Sequence, residues 1–182
     1  MSIAIIAGIP GAGKTTVMNE AIKRKNIKVI NYGDVIFEIA KEKKLVNHRD
    51  ELRKLPFDIQ RNMQIEAAKK IAKNNAIVDT HCTVKTPYGY LPGLPYDVLN
   101  ILKPDRIILV EANPEEIVAR RSKDVDIRMR DEESKEEMEE HQLMNRIAAM
   151  SYATIIGATV KIIKNRQGKI EKAAEEIIKA LE

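Results

Sequence analysis

Gly8-Ile9-Pro10-Gly11-Ala12-Gly13-Lys14-Thr15 sets glycines ahead of a lysine and a threonine at the spacing of a phosphate loop. Glycines permit tight turns that aim consecutive backbone N–H groups at phosphate oxygens. A helix starting behind them adds its positive end. In this pattern Lys14 reaches the β- and γ-phosphates, the Thr15 hydroxyl ligates Mg²⁺, and Thr16 adds a contact to the α-phosphate. A chance glycine-rich turn has the same letters. Here, however, Ile3–Ala7 reads as a strand and the residues after the loop as a helix, which is the context the chemistry needs. The expected ligand is MgATP.

Further charged groups stand where phosphoryl chemistry can use them. Asp79 closes the apolar run Ile77-Val78-Asp79. An acidic residue at a strand's carboxyl end either holds Mg²⁺, directly or through water, or caps a turn. Arg120, Arg121, Arg128, Arg130 and Arg146 cluster late in the chain. Guanidinium forks neutralise the charge that spreads during phosphoryl transfer. The same arginines also fit a charged surface paired with the carboxylates of residues 131–140. No N-K-x-D guanine-reading motif is present, which argues against a GTPase. The chain is short for an AAA-type or transporter ATPase, and a small phosphotransferase remains.

The elements that must position these groups follow from hydrophobic pattern. Ile3–Ala7, Lys28–Asn31, Ala76–Asp79, Arg106–Glu111 and Thr159–Lys164 are apolar runs of strand length. They read as strands covered on both faces, and helical patterns between them give an α/β fold with a parallel sheet. Asn113-Pro114-Glu115-Glu116 reads as a helix start with a capping-box glutamate at Glu116, and Gly157 as a helix stop after Met138–Ile156. Pro56 opens a helix with Ile59, Met63, Ala67 and Ile71 on one face. Thr86–Pro95 carries three prolines and two glycines and is expected as a structured loop. Ser122–Arg130 is either a lid or a solvated turn.

Composition bounds the alternatives. A chain of 182 residues with 44% hydrophobic residues fits one domain, and a net charge of +4 suits anionic substrates without requiring nucleic acid. Cys82 is the one cysteine, which excludes an intramolecular disulfide and fits a reducing cytoplasm. The start lacks the basic region of a signal peptide, and no apolar run approaches the ~20 residues that span a bilayer.

Taken together, GIPGAGKTT (Gly8–Thr16), NYGD (Asn31–Asp34), RDELRKL (Arg49–Leu55), QIEAA (Gln64–Ala68), DTH (Asp79–His81), TPYGYLPGLP (Thr86–Pro95), RMR (Arg128–Arg130) and TVKIIKN (Thr159–Asn165) resemble the archaeal adenylate kinases. The GYLPGLP, DTH and RKL segments are more specific than the phosphate loop. The resemblance runs from the first strand to the last helix. It implies a five-stranded parallel sheet in order 2-3-1-4-5 flanked by helices, one domain over residues 1–182, and the reaction ATP + AMP ⇌ 2 ADP with Mg²⁺. It implies an acceptor-binding arm over about residues 34–72 and a short lid over about residues 122–131.

By the same resemblance, Gly8 to Thr16 with Asn165 and Arg166 bind ATP, while Thr15, Asp34 and Asp79 serve the metal, the aspartates through water. Asp34, Arg53, Gln60 and Lys85 bind AMP, and Lys14, Arg120, Arg128, Arg130 and Arg146 stabilise the transferred phosphoryl. A homo-oligomer, a trimer above all, is implied as well. Two positions depart from the bacterial relatives. Val35-Ile36-Phe37 holds no arginine, and Thr83 and Lys85 stand where another arginine is expected; lysine cannot form the bidentate phosphate fork. A zinc lid is excluded by the lone cysteine.

Other residues read as structural. His81 and Cys82 lack the spacing of a metal or nucleophile pair. Tyr88, Tyr90 and Tyr96 either stack on the AMP base or pack within their loop. Met144, Met150, Ile155 and Ile156 face core or a subunit contact, and Glu132–Glu140 is the solvated start of a helix. Two rival functions share the loop: a kinase for another nucleoside monophosphate or small metabolite, and a nucleotide-dependent RNA-binding or assembly factor.

Overall fold

The computed structural model describes residues 2–121 and 133–182. Strand β1 (Ile3–Ala7) is buried along its whole length, with Ile3, Ile5 and Ala7 in one core and Ala4 and Ile6 in the other. Alternation of side chains across a sheet covered on both faces produces this pattern. The helices α1 (Lys14–Arg24) and α7 (Ile170–Ala180) cover one face through Val17, Met18, Ala21, Ala173, Ala174 and Ile177. The opposite face is covered by α2 (Tyr32–Glu42), α3 (Phe57–Ile71), α4 (Tyr96–Leu102) and α6 (Lys135–Ile156). On α3, Met63, Ala67 and Ile71 are buried and Ile59 packs beside them, the face expected from their spacing.

The other parallel strands are β2 (Val29–Asn31), β3 (Ala76–Asp79), β6 (Arg106–Glu111) and β7 (Thr159–Lys164), in the order β2-β3-β1-β6-β7. This departs from 2-3-1-4-5 only in that two hairpin strands, β4 (Thr83–Thr86) and β5 (Gly89–Pro92), intervene in the chain. They correct the expectation of an irregular loop over Thr86–Pro95. Lys85 pairs with Tyr90 and Thr86 with Gly89 in antiparallel register, and Gly89 takes the left-handed φ of 113° that the turn requires. Pro87 lies in the turn, Pro92 ends the edge strand and Pro95 lies beyond it, where no ladder donor is lost.

Two helix ends follow their local chemistry. Ser134 caps α6 and forms a capping box with Glu137, so the helix begins before Met138, and Gly157 stops it at a left-handed φ of 73°. Helix α5 (Pro114–Arg121) starts where the proline dictates. Glu116 there reaches outward instead, accepting from the Gln167 amide at 2.8 Å and pairing with Arg120 at 3.5 Å. No helix among the described residues is long and apolar enough to cross a membrane.

The register gathers chemistry at one edge. Asp79 pairs with Ile6 on one side and with Asn31 on the other, and Glu111 pairs with Lys164. Adjacent strands β1 and β3 send their connections to opposite sides of the sheet. The crevice beyond their carboxyl ends is the place where such sheets bind ligands.

Tyr152 pins the hairpin to α6. Its hydroxyl donates to Cys82 O at 2.8 Å and accepts from Leu94 N at 3.4 Å, both buried. Cys82 O has a second donor in Gly93 N, so Tyr152→Phe orphans mainly the Leu94 amide. The substitution is expected to cost about 1–2 kcal/mol, or roughly 2–8 °C in Tm by calorimetry. An unchanged Tm would show that the hydroxyl contributes no net stability.

Candidate functional site

The phosphate loop links β1 to α1 with Gly11 and Gly13 at φ 88° and 83°, a region L side chains rarely adopt. Each flanking glycine also has a packing reason. A Cβ on Gly8 would stand 2.5 Å from Val110 O, and one on Gly13 would collide with the Asn165 amide nitrogen. Beneath the loop, Ile9 and Ala12 are buried against Ala112, Ile117 and Met138. Thr15 and Thr16 are exposed on the first turn of α1.

Lys14 Nζ donates to Asp79 Oδ1 and, at 3.2 Å, to Thr80 O. Asp79 is buried and receives a second bond from Asn31 Nδ2 at 3.1 Å. Asn31 Oδ1 in turn accepts from Asp34 N at 3.1 Å as the N-cap of α2. The Asn31 side chain thus joins the Asp79 carboxylate, and through it Lys14, to the start of α2. Both readings of Asp79 had placed its carboxylate at this edge; its observed partners are Lys14 and Asn31.

Two of the expected nucleotide-binding residues, Arg120 for the phosphates and Asn165 for ATP, brace the loop from behind. Arg120 donates to Ala12 O at 3.1 Å and to Asn165 O at 2.9 Å. Asn165 is buried and donates to the same Ala12 O at 2.9 Å, so its amide supports the loop. Arg166 is exposed in the turn after β7. The Ala12 carbonyl is therefore held by one side chain from α5 and one from the residue that follows β7.

Glu111 was missed, although it ends its strand as Asp79 does. It is only 2% exposed and takes both Arg146 bonds, Nε to Oε1 at 2.7 Å and Nη2 to Oε2 at 2.6 Å, with Lys164 on the same Oε2. Burial pushes its carboxyl pKa up, but the Arg146 and Lys164 bonds and charges outweigh burial and hold it below the ordinary 4.5. Arg146 thus spends one edge of its fork on the protein.

On the other side of Asn31, Gly33, Ile36, Arg49, Leu52, Arg53, Gln60, Met63 and Gln64 line a cleft of about 160 Å³. Arg53 and Gln60, expected at the acceptor, both line it; Gln60 Nε2 donates to Leu55 O at 2.7 Å. Asp34 Oδ1 accepts from Arg49, the nearer arginine of the RDELRKL segment. Lys85 is not among the lining residues. It lies on β4, 2.8 Å from Glu137 and 3.7 Å from Glu133.

The remaining expectations divide. Arg128, Arg130 and the lid fall outside the described residues. Tyr88 and Tyr96 are exposed, whereas Tyr90 rests against the His141 ring at 5.2 Å and donates to Glu140 at 2.9 Å. The buried Cys82 thiol has its pKa pushed up to about 12 by burial, as a structural cysteine should. Ile156 packs on the core, while Met150 and Ile155 are exposed. Among the described residues no cluster of three or more His, Cys, Asp or Glu is arranged for a metal ion. A phosphate-borne Mg²⁺ keeps several waters and needs only one or two protein oxygens, which Thr15 and Asp79 can supply.

Comparison with known proteins adds to this geometry. A family model described as "AAA domain" matches residues 7–139. The chain is 53% identical to an adenylate kinase of Methanopyrus kandleri, covering 98% of this chain and 97% of that one. It is 55% identical to an adenylate kinase of Methanocaldococcus jannaschii, again over 98% and 97%. For that of Methanothermobacter thermautotrophicus the identity is 52%, over the full length of both. Among solved structures, a shikimate kinase of Acinetobacter baumannii superimposes with a TM-score of 0.59 at 16% identity, over 98% of this chain and 92% of that one. One from Bacteroides thetaiotaomicron gives 0.58 at 16%, over 99% and 98%. These last two share the fold.

The Glu111 cluster has a pH signature. A carboxyl held below its unfolded value stabilises fully above about pH 4.5 and loses that contribution as pH falls through its folded pKa. Glu111→Gln is expected to cost roughly 2 kcal/mol at pH 7, about 4–8 °C in Tm. The gap from the parent protein should narrow in melts below pH 4.5. A gap that stays constant with pH would mean that the Glu111 charge is not what stabilises.

Proposed function

The chain belongs to the adenylate kinases, and from that premise we propose how its residues divide the transfer of a phosphoryl group from MgATP to AMP, giving two ADP. The observation that carries the reading is the chain of contacts from Lys14 through Asp79 and Asn31 to the start of α2. It supports a donor loop and an acceptor cleft that share one wall.

In this reading the loop N–H groups, Lys14 and the exposed Thr15 and Thr16 hydroxyls take the triphosphate. Mg²⁺ bound with ATP bridges phosphate oxygens and offsets charge there. Thr15 and Asp79 would hold it. Asp34 is less suited, because its carboxylate is paired with Arg49 on the acceptor side. Arg120 and Asn165 fix the Ala12 carbonyl and so act as positioning residues. The Arg146 donors outside the Glu111 fork, with Arg128 and Arg130 from residues 122–131, would neutralise the transferred group. Residues 34–72 form the acceptor arm, with Arg53 and Gln60 toward AMP. No side chain acts as nucleophile; the AMP phosphate attacks directly, and water must be excluded meanwhile.

Assembly and compartment are part of the proposal. Leu143, Ile147 and Met150 are exposed on one side of α6, an apolar stripe that fits a homo-oligomer, with the trimer taken from the family resemblance. The free, buried Cys82 fits a cytoplasmic protein.

The deciding assay supplies MgATP with AMP, CMP, UMP or no acceptor, and measures ADP. AMP is expected to be the best acceptor. Activity confined to another acceptor, or acceptor-independent hydrolysis stimulated by RNA, would overturn the assignment. Lys14→Met is expected to lower turnover by at least ~10²-fold. Near-normal turnover would contradict the placing of the triphosphate.

A further inference from the structure

Asn31 ends the short strand β2 and caps α2 with the same side chain. Its Oδ1 accepts from Asp34 N at 3.1 Å, and its Nδ2 donates to Asp79 Oδ2 at 3.1 Å. Serine and aspartate cap helices about as well as asparagine does, so the cap alone does not call for an amide. An amide has its acceptor and its donor on separate atoms, and can cap a helix while it serves a carboxylate. It cannot be turned round here, since Oδ1 would then face the carboxylate and Nδ2 a backbone N–H. Register sets Asn31 directly beside Asp79 on the neighbouring strand. Among the described residues the Asp79 carboxylate has one donor on each oxygen, Lys14 on Oδ1 and Asn31 on Oδ2. Asp79 is only 7% exposed, so water does little for it when a donor is lost.

We propose that Asn31 is a positioning residue for the donor site, and that its bond to Asp79 sets how readily Lys14 leaves that carboxylate for a triphosphate. The proposal rests on reading Lys14 as the residue that takes the triphosphate. While Lys14 is paired, its charge neutralises Asp79 and the Asn31 bond adds to it. Once the lysine has gone, Asn31 is the donor left on a buried anion, and a hydrogen bond to an uncompensated charge is the stronger one. Without the amide, departure of the lysine leaves Asp79 with neither a counter-charge nor a hydrogen bond to offset its burial. The lysine is then held harder and the triphosphate must pull it away at greater cost. Asn31 acts through Asp79 on the lysine and not on the nucleotide.

The test titrates full-length protein with ATP by calorimetry, in a chelator, so that the lysine is read apart from Mg²⁺. Asn31→Ser keeps a capping oxygen and lacks the amide nitrogen that reaches Asp79. It is expected to weaken metal-free ATP roughly 3–10-fold, a part of the worth of a hydrogen bond to a charged group, because only the strengthening of that bond counts. AMP affinity should stay within about twofold of the parent's, since the cap is kept. In an Asp79→Asn background no carboxylate holds the lysine, and there Asn31→Ser is expected to change ATP affinity by less than about twofold. A loss of equal size in both backgrounds would overturn the proposal, because an effect of the cap would persist without the charge. Parent-like ATP binding by Asn31→Ser would overturn it too. Should Asn31→Ser fail to fold, Asn31→Thr, which also caps, decides by the same comparison. If Asp79→Asn alone leaves metal-free ATP affinity unchanged, the lysine exchange fails and the role of Asn31 falls with it. If Asp79→Asn tightens ATP and Asn31→Ser does nothing, the role of Asn31 fails by itself.

Discussion

A carboxylate buried at the end of β3 must be neutralised, and Lys14 does it. Leaving such a group unpaired costs several kcal/mol, so the pair fixes the lysine, and the lysine fixes the first turn of α1. Asn31 completes the arrangement by donating to the other Asp79 oxygen while capping α2. Strand order makes this possible. Because β1 lies between β3 and β6, the loop after β1 has Asp79 on one side and the Glu111 cluster on the other.

The same economy appears behind the loop. Its backbone donors point toward phosphate only if its carbonyls are held elsewhere, and Ala12 O is held twice, by Arg120 and Asn165. The apolar cluster of Ile9, Ala12, Ala112, Ile117 and Met138 removes the remaining freedom. Arginines that sequence alone marks for phosphate are therefore partly scaffold. Their forks bond to backbone or to Glu111 with the planar geometry they would offer an oxyanion.

Much of this was legible in the sequence because the strands obey a short rule. Four of the five sheet strands begin and end where the apolar runs do, and the phosphate loop declares its own context. The hairpin was hidden because Pro92 and the glycines of TPYGYLPGLP read as breakers, while an edge strand tolerates them at its end. Glu111 was hidden for a different reason: nothing local marks a carboxylate whose cations arrive 35 and 53 residues later.

In the proposed function Lys14 would trade one anion for another, leaving Asp79 for the triphosphate, and Asp79 would turn to the metal's water shell. The most direct measurement is ATP affinity of Asp79→Asn with and without Mg²⁺. Releasing the lysine should tighten metal-free ATP by ~3–10-fold relative to the parent protein and reduce the gain that Mg²⁺ brings. Unchanged or weaker metal-free binding, with the Mg²⁺ gain intact, would contradict the exchange.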